Sequence, residues 1–239
     1  MGVLLLQLSG PLQSWGDSSR FSRRLTRNEP TKSGVVGLLA SALGRSREDD
    51  VADLAELEFA VRTDQRGELV RDFQTERSEK EVMPLTNRYY LADAKFLVAI
   101  NGPDDLLQAL DTAVKNPARP LYLGRRSCPA DFPISYGLRS TCNDVREVLT
   151  VEPWSASEWY RAKMRRESDP FPMLEVAADA HDGEACESQA DYPLSFSGSG
   201  RRYACRPVRR YRILNPDIPA NVKEQAPQPP LDHDPMGFF

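Results

Sequence analysis

The chain opens on an apolar run, Val3–Leu6 with Leu8, closed by Gly10-Pro11. A run this short with a turn behind it predicts a buried strand. The connection onward to Pro30 is rich in Ser and Arg and has neither a helical nor a strand period. Val35, Leu38, Leu39 and Ala42 then recur at helical spacing, with Thr31 or Ser33 ahead as a cap and Gly44 behind as a stop. Val51, Leu54, Ala55 and Leu57 predict a second, short helix, and Phe59, Val61 and Thr63 alternate as a strand. Residues 67–91 carry many charges, with Val82, Met83 and Leu85 as scattered apolar points. Ala94–Ile100 predicts the next strand, ended by Asn101-Gly102-Pro103. A helix follows from Asp104, with Leu106, Leu107, Leu110 and Val114 along one face. Pro117 and Pro120 end it, and Leu121–Leu123 predicts another strand.

Strand, helix, strand, insertion, strand, helix, strand is the order of a ferredoxin-like or RRM-like module, in which two helices back an antiparallel sheet. The expected fold class is therefore α+β, with 67–91 projecting between the second and third strands as a long hairpin or arm. Beyond Val151 the pattern thins. Ser155-x-x-Glu158 reads as the capping box of a short helix carrying Trp159 and Tyr160. Asp179–Asp191, acidic and Ala-rich, reads as a mobile loop, and Tyr203–Leu214 as a strand pair with outward arginines. Six prolines in 215–239 predict an extended tail.

Composition adds limits. With 239 residues, 40% hydrophobic and 28% charged, the chain is long enough to bury a real core. No apolar run approaches a membrane span. The start MGVLLLQLSG has no basic region before its apolar run and reads as a strand, not a signal peptide. Gly2 is followed by Leu6 where a myristoylation signal wants Ser or Thr. The four cysteines, Cys128, Cys142, Cys186 and Cys205, form no CxxC pair and there are only two histidines. A disulfide framework or zinc site is not expected, and a cytoplasmic location is.

Charge changes the picture more. The net charge is −4, yet the arginines are segregated. Arg20, Arg23, Arg24, Arg27 and Lys32 lie in a stretch whose one acid is Glu29. Arg201, Arg202, Arg206, Arg209, Arg210 and Arg212 lie in another with none. The acids gather at Glu48–Glu58 and Glu175–Asp191, so local basic patches on an acidic molecule are expected. Pro30-Thr31-Lys32-Ser33-Gly34 places amides, hydroxyls and a cation at a helix N-terminus, which suits an oxyanion as well as a plain cap. Gly124-Arg125-Arg126-Ser127 follows an apolar segment and could bring two guanidiniums to a phosphate backbone, with Lys32 and Arg24 as facing cations. Arg88, Tyr89 and Tyr90, at the end of the arm, suit base stacking or a sheet edge. Trp15 reads as a core anchor for its loop. Acid–base chemistry is thinly provided: His181 falls in the acidic loop and His233 in the tail, and no GxSxG elbow exists. Cys128, after Arg125-Arg126-Ser127, reads as a packed thiol in preference to a reactive one.

GPLQSWG (10–16), PTKSGVVGLLASALG (30–44), Arg71-Asp72-Phe73-Gln74-Thr75, Tyr90–Phe96 and YLGRRSCP (122–129) together resemble, in content and order, the CasD subunits of the type I-E CRISPR surveillance complex, Cascade, within the RAMP superfamily. The resemblance covers roughly the first 130 residues; the C-terminal third matches only loosely. It implies a ferredoxin-like domain over 1–150 with a protruding thumb at about 67–91, a smaller β-rich part over 151–214, and the Pro-rich tail over 215–239. It also implies a non-catalytic subunit that caps one end of the assembly and holds the 5′ handle of the guide RNA. The partners it implies are that RNA, the CasA and CasC subunits and, through the complex, target DNA; no cofactor, metal or membrane is implied. The RNA-binding residues expected are Arg24, Lys32, Ser33, Gln74, Thr75, Arg88, Tyr89, Arg125, Arg126 and Ser127. The alternative is a metal-independent endoribonuclease that processes precursor RNA, with Tyr89 or Tyr90 and Lys95 or Lys32 as acid and base.

Overall fold

The computed structural model describes residues 2–16, 23–75, 77 and 84–219. Most of the predicted extended tail, including His233, lies outside them, as do Arg20, Val82 and Met83. β1 (Gly2–Ser9) leads through β2 (Leu12–Gln13) and β3 (Arg23–Arg24) to α1 (Lys32–Ala42) and the single turn α2 (Ala52–Ala55). β4 (Glu58–Gln65), β5 (Glu68–Gln74), β6 (Thr86–Ala92) and β7 (Lys95–Gly102) follow, then α3 (Asp104–Lys115) and β8 (Ser135–Arg139). The remainder is α4 (Val145–Val151), α5 (Glu158–Arg166), β9 (Leu174–Asp179), β10 (Glu187–Ser195) and β11 (Arg202–Ile213).

The larger sheet has seven strands in the order β10-β11-β9-β4-β7-β1-β8, every pair antiparallel. Its β4-β7-β1-β8 half, with α1 and α3 as the crossing helices, is the ferredoxin-like module. The β-rich C-terminal part joins the same sheet, because β9 pairs with β4 (Ala60↔Ala178, Val61↔Ala177). The arm is the hairpin β5–β6, and it belongs to a second sheet in which β6 also carries β2 and β3 on its other edge.

Four expectations are corrected. Leu121–Leu123 is not the fourth module strand; Ser135–Arg139 is, with Leu4 opposite Leu138. The Leu123 amide donates to Cys128 O (2.7 Å) and Leu123 O accepts from Ser14 N (3.1 Å), so this segment closes a turn on the GPLQSWG loop and leaves no ladder free. The acidic stretch predicted as a mobile loop contains most of β10, whose inward positions Gln189 and Asp191 are buried. Polar residues at core-facing positions erased the apolar alternation that would have marked the strand. The predicted pair at 203–214 is one long strand, β11. The cap of α5 is Ser157, while Ser155 Oγ donates to Asp64 Oδ2 (2.6 Å).

Both faces of the large sheet are covered at its centre. Leu4, Leu6, Leu8, Phe96 and Val98 pack beneath α1, α2 and α3. Val3, Leu5, Leu97 and Ala99 pack beneath α4 and Trp154. Under that second layer Arg62 is fully buried, chelated by Asp64 and by the carbonyls of Leu149, Glu152 and Pro153. RRM domains bind RNA on an open sheet face; here helices cover both faces of the β1 and β7 centre, and the sheet is open only towards β4, β9 and β11, where Val61, Thr63, Ala177 and Arg210 line a groove of about 850 Å³ among the described residues.

Candidate nucleic-acid interface

GPLQSWG, the start of α1 and the Gly124 turn meet at one place. Gln13 is buried and its side chain donates to Leu8 O (3.2 Å) and Ala94 O (2.8 Å) while accepting from Trp15 Nε1 (3.0 Å). Trp15, 1% exposed, lies against α1 where Gly34 makes room: a Cβ there would sit 2.8 Å from Trp15 Cε3. The Trp15 anchor reading therefore holds. Gly124 has φ +88°, and a Cβ on it would stand 1.8 Å from Ser14 O. The close approach this glycine permits is to the protein's own GPLQSWG loop, where a close approach to RNA was expected.

That turn sorts its residues. Arg125 folds back: its guanidinium carbon lies 4.6 Å from the centre of the Tyr90 ring, and Nη2 donates to Arg24 O (2.9 Å). Tyr90 is buried beneath it. Arg125 thus clamps β3 to the arm, and its Nη1 is buried without a partner. Arg126 and Ser127 point outward and are exposed. Arg24 is exposed on β3 directly opposite Arg88 of β6, and Arg88 is half-buried with an unpartnered Nε. Tyr89 is half-buried on the other face of β6, its carbonyl accepting from Ser14 Oγ (3.2 Å). Gln74 and Thr75 are exposed at the outer end of β5, Gln74 bonded to Asp72 (2.7 Å).

Lys32 and Ser33 are drawn inward. The Lys32 ammonium is 6% exposed and pairs with Asp179 (2.9 Å). Burial holds its pKa below the usual lysine value even with Asp179 beside it. The α1 N-terminus, expected to suit a foreign oxyanion, already holds the protein's own: Lys32 N donates to buried Asp191 (2.8 Å), and Thr31 Oγ1 caps Gly34 N (3.2 Å). A phosphate would have to displace that carboxylate.

The second arginine stretch is largely spent as well. Arg206 is buried between Asp179 (2.5 Å) and Asp191 (2.7 Å). Arg209 pairs with Glu184, Arg210 with Glu29 and Glu187, and Arg212 with Glu175. Glu184, also gripped by Arg146, has its carboxyl held far below the usual range, chiefly by that Arg146 bond. Only Arg201 and Arg202 at the start of the stretch remain exposed and without an ion pair among the described residues.

The candidates for acid–base work are dispersed. Lys95 Nζ lies over the Phe132 ring (4.9 Å), and among the described residues no hydrogen bond joins the hydroxyl of Tyr89 or Tyr90 to Lys95 or Lys32. His181 is exposed beside Glu58. Burial pushes the Cys128 thiol up, which suits a packed residue. No group of three His, Cys, Asp or Glu is placed to hold a metal among the described residues, and no described helix is long and apolar enough to cross a membrane.

Beside Arg126 runs a groove of about 570 Å³ that the sequence did not reveal, between α1, the segment 119–126 and the β10–β11 hairpin. Its Arg47, Arg201, Tyr203 and Phe196 come from regions far apart in the chain. The one available signal was Gly37, a glycine inside a helix, at a cost of about 1 kcal/mol relative to alanine.

Three comparisons bear on identity. The sequence profile of the family described as CRISPR-associated protein (Cas_Cas5) matches residues 3–209. CasD of Escherichia coli K12, a subunit of the CRISPR system Cascade, is 35% identical over 176 residues, covering 63% of this chain and 77% of the relative. A crystal structure of a Cas protein is 39% identical with a TM-score of 0.68, covering 91% of this chain and 97% of its own. A chain of a CRISPR RNA-guided surveillance complex is 29% identical with a TM-score of 0.73, covering 94% and 97%.

Proposed function

The chain belongs to the CRISPR-associated Cas5 family, and from that premise we propose that it is a non-catalytic, RNA-binding subunit of a Cascade-type surveillance complex in antiviral defence. It holds the 5′ handle of the guide RNA, caps one end of the assembly beside other Cascade subunits, and works in the cytoplasm. The observation that carries this reading is the ridge formed by Arg23, Arg24 and Arg126 around the Gly124 turn. These cations are exposed and unneutralised among the described residues, on a chain whose net charge is −4. On β11, by contrast, Arg206, Arg209, Arg210 and Arg212 are each matched to a carboxylate. A ridge left unmatched suits a polyanion, because each guanidinium can make charge-assisted bonds to phosphate oxygens.

Within the ridge, Arg24, Arg126 and Ser127 make the phosphate contacts. Arg88 and Gln74 share the face of the arm that Arg24 occupies and, with Thr75 at its outer end, line the path there, Tyr89 is offered from the opposite face, and Arg125 positions β3 against β6. Lys32 and Ser33 take no direct part. A scaffold role is supported by the burial of Tyr90 beneath Arg125 and of Lys32 against Asp179, which keeps both away from a substrate at the surface. Incubating the purified protein with labelled repeat RNA in EDTA tests this. The expected outcome is bound, intact RNA; specific cleavage that disappears in Tyr89→Phe overturns the scaffold reading in favour of a metal-independent nuclease.

A further inference from the structure

The groove beside Arg126 has features that neither packing nor the ridge explains. Five arginines line it, Arg45, Arg47, Arg119, Arg126 and Arg201, and among the described residues no carboxylate does. Two of them are braces: Arg45 pairs with Asp53 (2.5 Å), and Arg119 donates to Arg45 O (2.8 Å). Two exposed acids lie close by and are already bonded, Glu48 to the Gly198 amide and Asp49 to Ser46, with Asp49 near the two bracing arginines Arg45 and Arg119. Arg47, Arg126 and Arg201 are exposed and have no ion pair among the described residues. One wall is aromatic: Phe196 and Tyr203 meet edge to face with ring centres 6.4 Å apart, and Tyr203 is 41% exposed.

The floor is α1, and there Gly37 is informative. A Cβ on Gly37 would meet only Phe196, at 3.7 Å, which is ordinary contact. Packing therefore does not demand glycine, unlike Gly34 under Trp15, although glycine in a helix interior is costly. What the missing side chain does is keep the groove deep next to an aromatic face. Depth, an aromatic wall and converging guanidiniums suit one nucleotide of a splayed single strand, with its base stacked and its phosphate bound. A duplex would offer no free base face to that wall. An acidic peptide would use the arginines but leave the depth and the aromatic wall unexplained.

Resting on the RNA-binding reading above and deepening it, we propose that this groove seats a nucleotide of single-stranded RNA, its phosphate on Arg47, Arg126 and Arg201 and its base against Tyr203 and Phe196. The groove thereby extends the ridge around the Gly124 turn into a pocket. The test uses the full chain and a labelled mixed-sequence single-stranded RNA, with DNA of the same sequence alongside. The variants are Gly37→Leu, which fills the floor, and the surface pair Arg201→Ala/Tyr203→Ala; thermal unfolding checks each for folding. Both should unfold near the wild-type temperature and bind RNA roughly tenfold or more weakly, the size of one lost stacking or charge-assisted contact. Ultraviolet crosslinks should map to Tyr203 in the wild type and vanish in Gly37→Leu. Wild-type binding with undiminished affinity in both variants overturns the groove and leaves the ridge standing. No RNA binding by the wild type, alone or assembled, overturns the functional reading itself. Gly37→Leu that blocks assembly with partner subunits yet keeps full RNA affinity makes the groove a protein interface and also overturns the proposal.

Discussion

The two arginine-rich stretches look alike in sequence and meet opposite fates. The residues of β11 carry Arg206, Arg209, Arg210 and Arg212, and each is matched by a carboxylate from β9, from the 175–191 region or from Glu29. The residues of β3 and the Gly124 turn carry Arg23, Arg24 and Arg126, and no described carboxylate faces them. One set holds the fold together and the other is left for a partner. A run of like charge in sequence thus says little about a patch in space. What decides it is whether the chain folds acids onto the same spot, and here the acidic segment meets Lys32 and most of β11 but, among the described residues, not Arg23, Arg24 or Arg126.

The largest effect should come from breaking the matched set at its buried centre. Asp191→Ala removes the acceptor of Arg206, Gln189 and the Lys32 amide at once. It breaks a buried ion pair, leaving the Arg206 guanidinium with Asp179 as its remaining counter-charge and the Lys32 amide unpaired, at a cost of about 3–5 kcal/mol. Urea unfolding should show that loss, while the folded fraction keeps its RNA affinity. A loss of RNA affinity per folded molecule would mean that the two regions are not separate.

Next comes the turn itself. Gly124→Ala must place a Cβ where Ser14 O now lies and hold a positive φ. We expect a stability loss of about 2–4 kcal/mol from strain and displacement together. A variant as stable as the wild type would show that the turn does not rest on the GPLQSWG loop.

Removing the unmatched charges should leave stability alone and act on RNA. Arg24→Ala/Arg126→Ala deletes two exposed cations, with an expected affinity loss of about 1–3 kcal/mol. The log–log salt slope should fall by about 0.7 for each lost phosphate contact on single-stranded RNA. Arg209→Ala/Arg210→Ala should change neither affinity nor slope. Filter binding across a salt series compares the two pairs; equal effects would erase the distinction between the regions.

The smallest effect is on the acid side of the stability profile. Because the native Glu184 carboxyl is held below its ordinary value of 4.5, the unfolded chain takes up the proton first as pH falls. Its contribution is complete above that range and is lost as pH drops through and below it. Glu184→Gln should therefore flatten the acid limb of a stability-versus-pH curve and leave the basic limb unchanged. An unaltered acid limb would show that other carboxylates set it.

Much of the fold was legible because it rests on local periodicity. The apolar runs of β1 and β7, the Thr31 cap of α1 and the one-sided leucines of α3 each specify an element by themselves. β10 was hidden because its inward positions include Gln189 and Asp191, whose burial is stabilised by Arg206, Arg210 and the α1 amide from elsewhere in the chain. β8 was missed because Leu121–Leu123 offered a more apolar candidate, and only contact with Ser14 shows why that segment turns away. At the candidate interface, the glycine and arginines of 124–126 stood out in sequence. Which arginine folds onto Tyr90 and which faces solvent did not.

By itself, then, the sequence determined the elements with a clear hydrophobic period, β1, α1, β4, β7 and α3, and the motifs that mark the family, since these depend on that period and on neighbours a few residues away. Tertiary structure alone decided which charges are spent and which remain. Coulomb interactions and desolvation act through space, so the worth of Lys32 or Arg206 depends on an aspartate more than a hundred residues distant in one case and fifteen in the other. The same reason leaves Arg126 without an ion pair among the described residues: the fold brings no described acid to it.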